Sequence, residues 1–208
     1  MRNHRADVVE QAIVVLDRYG LADLTMRRLG AELGIRPSAL YHHFENKQAL
    51  LAAVADELLE RGPRRPRPAS WDGRATAICA EVRDAMLAYR DGAELVATVS
   101  AFGLGGHTPY AELCRALREG GVEEPLARAG ARTLLHFVFG HTADEQTHLQ
   151  AGSAGAIEAG PRESSDFELG LRIVLAGLRS VAAGDLDQGA VVLGELDRAG
   201  QVEPGLAQ

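Results

Sequence analysis

Cysteine is scarce in this sequence, and long apolar runs are missing. Cys79 and Cys114 are the two cysteines in 208 residues, and they do not form a Cys-x-x-Cys pair. Two isolated cysteines indicate small buried side chains in a reducing compartment rather than a disulfide framework. No apolar segment approaches the length of about 20 residues that a membrane-spanning helix needs, and no signal peptide precedes Arg2. We therefore expect a cytoplasmic protein with no membrane partner.

The sequence also lacks the signatures of β-structure and of catalysis. No segment alternates apolar and polar residues with a period of two, so no sheet is expected. There is no nucleophile elbow, no P-loop and no dinucleotide fingerprint, and nothing places the Ser and His residues as a triad. We predict an all-α protein that is not an enzyme and has no cofactor.

The net charge of −7 is unexpected for a protein that binds nucleic acid, but it is unevenly distributed. Residues 1–67 contain eleven Lys and Arg against nine Asp and Glu, a net of +2, so the remainder carries −9. A mildly basic end on an acidic body fits a protein that touches DNA with one end only. Without a strongly positive field, non-specific DNA affinity should be modest and sensitive to salt.

Residues 24–47 are the most informative stretch, because their pattern predicts two short helices joined by a tight turn. Thr25 is a good N-cap for the first helix. Gly34 stands where a left-handed helix end favours a residue without Cβ. Pro37 suits the first turn of the second helix, where its missing N–H would be unbonded anyway. This arrangement is a helix-turn-helix.

The outward face of the second short helix carries side chains that suit the major groove of DNA. Such side chains can bond phosphates, touch thymine methyl groups and reach base edges. A helical hairpin that only packs is the alternative, but the exposed aromatic and basic residues favour DNA binding. The candidate DNA contacts are Thr25, Arg27, Arg28, Arg36, Pro37, Ser38, Ala39, Tyr41, His42, His43 and Lys47.

Helical periodicity extends over most of the chain and divides it into two parts. A helix over residues 7–19 precedes the pair and another begins at Lys47, so three helices form a small bundle from which a longer fourth one leaves. Three prolines in residues 62–69 predict a stiff linker. Further helices are predicted over residues 71–90, 94–102, 109–119, 124–150 and 166–183, with loops over residues 103–108 and 151–165. The predicted units are a DNA-binding domain at 1–61, a ligand-binding and dimerisation domain at 70–183 and a flexible tail at 184–208.

These motifs resemble the signature of the TetR (tetracycline-repressor) family of transcriptional regulators. The resemblance covers residues 5–60 and is carried by Thr25-x-Arg27-x-Leu29, Leu33-Gly34-Ile35, Ala39-Leu40-Tyr41-x-His43-Phe44 and Asn46-Lys47-x-x-Leu50. A weaker resemblance to the tetracycline-repressor branch continues through Trp71, Tyr89-Arg90-Asp91-Gly92-Ala93 and Phe167-x-x-Gly170-Leu171. Arg36 departs from the family pattern, which often has a capping Ser or Thr at this position.

The resemblance implies a homodimer that binds double-stranded operator DNA and responds to a small-molecule effector. One helix-turn-helix buries too little surface to select a single operator, whereas a C₂ dimer reads two half-sites. The helices that begin at Glu124 and Asp166 would pair with their symmetry mates as a four-helix bundle. The middle helices would enclose the effector. Its binding would shift the population toward a conformation in which the two DNA-binding domains of the dimer no longer have the spacing of the half-sites.

The resemblance also bears on the chemistry of the effector. Alignment through Trp71 and Tyr89-Arg90-Asp91-Gly92 places Ile and Val where the tetracycline repressor grips its Mg²⁺–drug chelate. Such a wall cannot hold the chelate, so we expect an apolar or weakly polar effector. Plain core packing is the alternative for each candidate. The candidate wall residues are Ile78, Val82, Val96, Val99, Leu113 and Phe137.

His141, Glu145 and His148 fall on one predicted helical face at a spacing that can bind Zn²⁺. Two histidines and one carboxylate leave a zinc site short of a ligand, so a solvated or interface face is favoured and no metal is predicted. A metal-responsive repressor that uses these three residues stays an alternative to the effector-responsive repressor. A ligand-independent DNA binder is the other alternative, although it should be more basic than this chain.

Overall fold

The computed structural model describes residues 4–156 and 166–184, which form nine α-helices and contain no strand. The all-α prediction is therefore confirmed. Residues 157–165 of the predicted loop and residues 185–208 of the predicted tail lie outside the described residues. In chain order the helices are α1 (Arg5–Tyr19), α2 (Met26–Glu32), α3 (Pro37–Leu40), α4 (Lys47–Arg61), α5 (Trp71–Leu87), α6 (Gly92–Ala101), α7 (His107–Glu119), α8 (Glu124–Ser153) and α9 (Phe167–Ala183).

Helices α1 to α4 form the head, and the predicted caps and turn hold its helix-turn-helix. The Thr25 hydroxyl accepts a hydrogen bond from the Arg28 N–H at 3.1 Å, and the Asn46 side chain accepts one from the Ala49 N–H at 2.8 Å. Gly34 has φ +66°, a left-handed conformation that a residue without Cβ adopts without strain. Thr25 and Asn46 thus cap the starts of α2 and α4, and Gly34 forms the turn between α2 and α3.

Helices α5 to α9 form the body, in which α5, α7 and α8 pack on one another and α9 packs on α8. Helix α4 packs against α1 and also against α5 and α6. The last helix of the head is thus also a packing element of the body. Displacement of α4 by the body would therefore carry the head with it.

Helix α5 ends and α6 begins earlier than the apolar periodicity predicts, because long-range hydrogen bonds fix the turn between the two helices. Asp91 has φ +54°, and its carboxylate accepts hydrogen bonds from the Leu21 N–H and from the Gln150 side chain, both at 2.8 Å. Helix α5 therefore ends at Leu87 and α6 begins at Gly92, rather than at residues 90 and 94. The same Asp91 contacts join the head to α8.

Glycines set two further helix ends that differ from the predicted ones. Gly106 has φ +71° and caps α7, which begins at His107 within the predicted 103–108 loop. Gly155 has φ +72° and follows α8, which continues to Ser153. The small residues that follow Gln150 indicated a loop, but alanine is also the best helix former, and the helix continues through the first of them.

Trp71 joins the start of α5 to α7 and α9. A Cβ on Gly120 would lie 2.3 Å from the Trp71 side chain, so the end of α7 lies directly on the indole. The Arg179 guanidinium lies 5.9 Å from the Trp71 ring centroid and also pairs with Asp72. The indole is therefore held between two helices of the body.

None of the helices within residues 4–156 or 166–184 combines the length and apolar character that a bilayer span requires.

Removal of the Asn46 cap should destabilise the head. We expect Asn46→Ala to lower the free energy of unfolding by about 1 kcal/mol, because the Ala49 N–H loses its acceptor. Asn46→Asp keeps an acceptor oxygen at the helix N-terminus and should retain the stability of the parent. Urea unfolding followed by circular dichroism measures both variants. Equal stability of the Ala variant and the parent would show that the cap contributes nothing.

Candidate nucleic-acid interface and the cavity behind it

Helix α3 presents the predicted DNA-reading surface. Leu40 and Phe44 are buried at 0% and 2% exposure and hold its inner side against the head, and the Arg5 guanidinium lies 4.7 Å from the Phe44 ring centroid. Helix α3 ends at Leu40, earlier than the sequence predicts, so Tyr41 is its C-cap and His42 and His43 lie in the turn that follows. Tyr41 is 52% exposed. A helix with one anchored face and one exposed polar face can dock in a groove without rearrangement.

The eleven candidate DNA contacts lie in or beside α2 and α3 and at the first residue of α4. Their roles as DNA contacts stay predictions. Seven of them are exposed: Thr25, Arg27, Arg36, Pro37, Ser38, Tyr41 and His42. Four are half-buried: Arg28, Ala39, His43 and Lys47.

Arg28 has internal partners that the motif alone does not reveal. Its guanidinium lies 4.2 Å from the Tyr19 ring centroid, and Nη2 lies 3.2 Å from Oδ1 of Asp23. By contrast, Arg36 makes no side-chain cap hydrogen bond at the start of α3, as the sequence predicts. Arg28 thus stabilises the head through these two contacts, whereas the side chain of Arg36 is exposed.

A cavity of about 60 Å³ lies between α4, α5 and the start of α7. Ile78 and Val82, two of the predicted effector walls, line it. Four carboxylates, which the sequence analysis did not single out, also line it. The full lining is Asp56, Leu59, Glu60, Arg64, Ile78, Glu81, Val82, Gly106, Thr108, Pro109 and Glu112.

The other four candidate wall residues lie elsewhere in the body. Val96, Val99 and Leu113 are buried in the core at 1%, 2% and 0% exposure. Phe137 is half-buried and stacks on Phe167 with ring centroids 5.6 Å apart. None of the four lines the cavity described above, and their role in effector binding stays a prediction.

Glu81 is the most deeply buried of the four carboxylates, with 4% of its surface exposed. It lies on α5 between Ile78 and Val82, so a glutamate on the apolar face of a helix was the available sequence signal. Burial raises the pKa of Glu81, and the hydrogen bonds from the Arg67 guanidinium and the Arg65 N–H lower it by more, so its pKa lies below the usual range. Glu81 is therefore a buried anion at neutral pH.

Arginines of the segment at residues 62–69, the linker, surround this buried anion. Arg67 binds Glu81 through both guanidinium nitrogens, with Nη2 2.9 Å from Oε2, and also lies 3.4 Å from Glu112. Arg64 lies 3.7 Å from Glu81, and Arg65 pairs with Asp84. Ion pairs thus dock the linker arginines on α5 and α7.

Asp56 links α4 directly to the same region. Its carboxylate accepts a hydrogen bond from the Gly106 N–H at 2.7 Å, where the chain enters α7. The side chain lines the cavity on the α4 side. The cavity therefore lies where a helix of the head contacts the body.

The His141, Glu145 and His148 face does not form a metal centre in the described part of the chain. Glu145 is paired with Arg83, whose Nε lies 2.9 Å from Oε2. The His141 ring lies among aromatic rings, 5.7 Å from Phe137 and 5.3 Å from Phe167. Residues 4–156 and 166–184 contain no group of three or more His, Cys, Asp or Glu that could hold a metal ion. A metal-responsive reading thus lacks structural support.

Comparisons with known proteins match both parts of the chain. Residues 8–54 match the family model described as "Bacterial regulatory proteins, tetR family", and residues 63–165 match "Tetracyclin repressor-like, C-terminal domain". The chain is 32% identical over 193 residues to the class A tetracycline repressor from transposon 1721 of Escherichia coli. That match covers 82% of this chain and 88% of the repressor.

Solved structures resemble the whole described architecture. BioQ bound to its natural double-stranded DNA operator superposes with a TM-score of 0.74 at 40% identity, covering 85% of this chain and 98% of that one. ActR from Streptomyces coelicolor, in complex with (S)-DNPA, superposes with a TM-score of 0.72 at 31% identity, covering 88% of this chain and 100% of that one.

The lowered pKa of Glu81 predicts how its ion pairs respond to acid. A carboxylate with a lower pKa in the folded chain stabilises the fold above its ordinary pKa, and this contribution is lost as the pH falls through the lowered value. We expect Glu81→Gln to be less stable than the parent at about pH 7, and the difference to shrink below about pH 4.

Urea unfolding at a series of pH values measures this difference. Glu119→Gln is the matched control, because Glu119 pairs with Arg74 but is 55% exposed and should contribute little. A stability difference between parent and Glu81→Gln that stays constant down to about pH 3 would contradict the linkage.

Proposed function

The chain belongs to the TetR family of bacterial regulatory proteins, and from this premise we propose that it is a repressor released from a palindromic operator by a small-molecule effector. The observation that carries the proposal is the double role of α4. This helix belongs to the head, which also contains α3. It forms one wall of the cavity between α4, α5 and α7 as well. A change at the cavity is thereby connected to the position of the reading helix.

The exposed side chains of α3 and of the turn that follows it support operator binding. Tyr41, Ser38 and His42 offer an aromatic ring, a hydroxyl and an imidazole to base edges and phosphates, and Arg27 and Arg36 lie close in sequence on either side of the turn. BioQ, a structural relative of this chain, was solved with its operator. A DNA-binding regulator of this kind would act in the cytoplasm.

Exposed apolar residues on α9 support a homodimer. Leu169 and Ile173 are 50% and 65% exposed, which is costly on the surface of a monomer unless a partner covers them. We propose that α8 and α9 pair with their symmetry mates through an isologous interface. The two heads would then reach successive major grooves about 34–36 Å apart.

Ile78 and Val82 support an effector whose body is largely apolar. They supply dispersion contacts and cannot coordinate a metal–drug chelate. ActR, another structural relative, was solved with a small molecule bound. The effector would bind more tightly to the conformation with mis-spaced heads and so lower operator affinity.

Substitution of Tyr41 tests the reading helix. We expect Tyr41→Ala to abolish binding to a duplex from the intergenic DNA beside the gene, because Tyr41 is the large exposed side chain at the C-cap of α3. The dimer should persist, because Tyr41 lies outside the proposed interface. Gel-shift titration and size-exclusion chromatography measure the two properties. Undiminished DNA affinity would show that α3 is not the reading helix.

Two arginines of the head form a matched pair for the salt dependence of DNA binding. We expect Arg36→Ala to reduce the slope of log affinity against log salt concentration by about 1, the effect of one lost phosphate contact. Arg28→Ala should instead lower the stability of the head, because it removes the contacts to Tyr19 and Asp23. Equal slopes for parent and Arg36→Ala would remove Arg36 from the interface.

A further inference from the structure

We propose that the effector carries a positive charge, as an amine, amidine or guanidinium on an apolar body, and that it acts by displacing the linker arginines from Glu81 and Glu112. This inference rests on the proposed function, since it names the class of effector for the cavity between α4, α5 and α7. It also implies that the linker is part of the switch rather than a passive connection.

The lining of the cavity carries an excess of formal negative charge. Four carboxylates line it, and Arg64 is the single cationic residue in that lining. Arg67 adds a second positive charge from the linker through Glu81 and Glu112. Two cations against four carboxylates leave the site with a negative balance, which favours a cationic ligand and disfavours an anionic one.

Arg67 shows how a ligand cation would bind. Its planar guanidinium makes a two-pronged hydrogen bond with the buried carboxylate of Glu81, a geometry that amidines and guanidines can reproduce. A buried carboxylate that loses its only close cations is strongly destabilised. A ligand that displaces Arg67 must therefore bring a positive charge of its own, which a neutral molecule of the same shape does not.

The size of the cavity makes such displacement necessary. A space of about 60 Å³ is far below the volume of a typical ligand pocket. The side chains of Arg64 and Arg67 are 53% and 36% exposed, so they can swing into solvent more readily than the buried residues can move. Arg64 in the lining, and Arg67 on the carboxylates behind it, are thus the groups that can move aside for a ligand.

Displacement of the linker would act on α4, because the linker begins where α4 ends. Gly62 follows Arg61 at that point, and a Cβ there would lie 2.6 Å from the Cβ of Ala85, so α4 and α5 are in close contact. Arg61 itself pairs with Glu57 and with Glu10 of α1. Loss of the linker's ion pairs would loosen this junction and change the orientation of the head.

Three probes with one ring and different charges test the effector class on the full-length protein. They are benzamidinium, benzamide and benzoate, and calorimetric titration measures their affinities. We expect benzamidinium to bind at least about tenfold more tightly than the other two. Equal affinity of benzamide or benzoate, or failure of benzamidinium to bind, overturns the proposal.

Variants locate the binding and test the displacement. Arg67→Ala removes the internal competitor and should strengthen benzamidinium binding about tenfold, whereas Glu112→Gln should weaken it about tenfold. Glu112 is partly exposed, so its variant should fold even if a change at Glu81 does not. Arg118→Ala, at an exposed pair with Glu124 outside the cavity, should change nothing. Unchanged affinity in both cavity variants overturns the proposal.

A gel shift with the intergenic duplex separates this inference from the proposed function. Benzamidinium should release the duplex from the parent protein, and benzamide should not. Tyr41-dependent DNA binding without selective benzamidinium binding would overturn the cationic effector and leave the repressor. Selective benzamidinium binding by a protein without DNA affinity would overturn the repressor and leave the cation site.

Discussion

The burial of α4 against both the head and the body is the constraint on which the rest of the structure depends. Leu50, Val54 and Leu58 are almost fully buried, and the helix packs on α1 of the head and on α5 and α6 of the body. Closely packed helices cannot slide freely, because interiors have the density of organic crystals. The head therefore has few ways to move alone. The body is thus connected to the four-residue α3 through α4, α1 and α2, which pack on one another in turn.

The charges of the chain have two different uses. Residues 1–67 are mildly basic by count, but the excess comes from the linker, whose Arg64, Arg65 and Arg67 are paired with carboxylates of the body. These three linker arginines neutralise the acidic body rather than attract DNA. The cations left to face a duplex lie around α2 and α3, so the attraction to phosphate is local and weak at long range. A low non-specific affinity raises the ratio of specific to non-specific binding, which favours a single operator over the many competing sites of a genome.

The sequence predicts the head far better than the cavity, and the reason is physical. Thr25, Gly34 and Asn46 act through hydrogen bonds or backbone angles within about three residues, which local patterns record. The Arg67 contacts to Glu81 and Glu112 span 14 and 45 residues, and the Asp91 contact to Leu21 spans 70. No local pattern encodes such pairs, so the linker appeared as a spacer and α5 was predicted three residues too long. Ile78 and Val82, two of the predicted wall residues, line the cavity, whereas the carboxylates beside them depend on the fold.

Trp71, held between Gly120 and Arg179, is the only tryptophan of the chain. It stands two residues beyond the end of the linker and on the first turn of α5. Indole emission depends on the polarity around the ring and on nearby charged groups, and no second indole masks it here. The protein thus contains an intrinsic optical reporter at the junction of linker and body. Spectral shifts on ligand addition would follow that junction in real time, without a dye or a label.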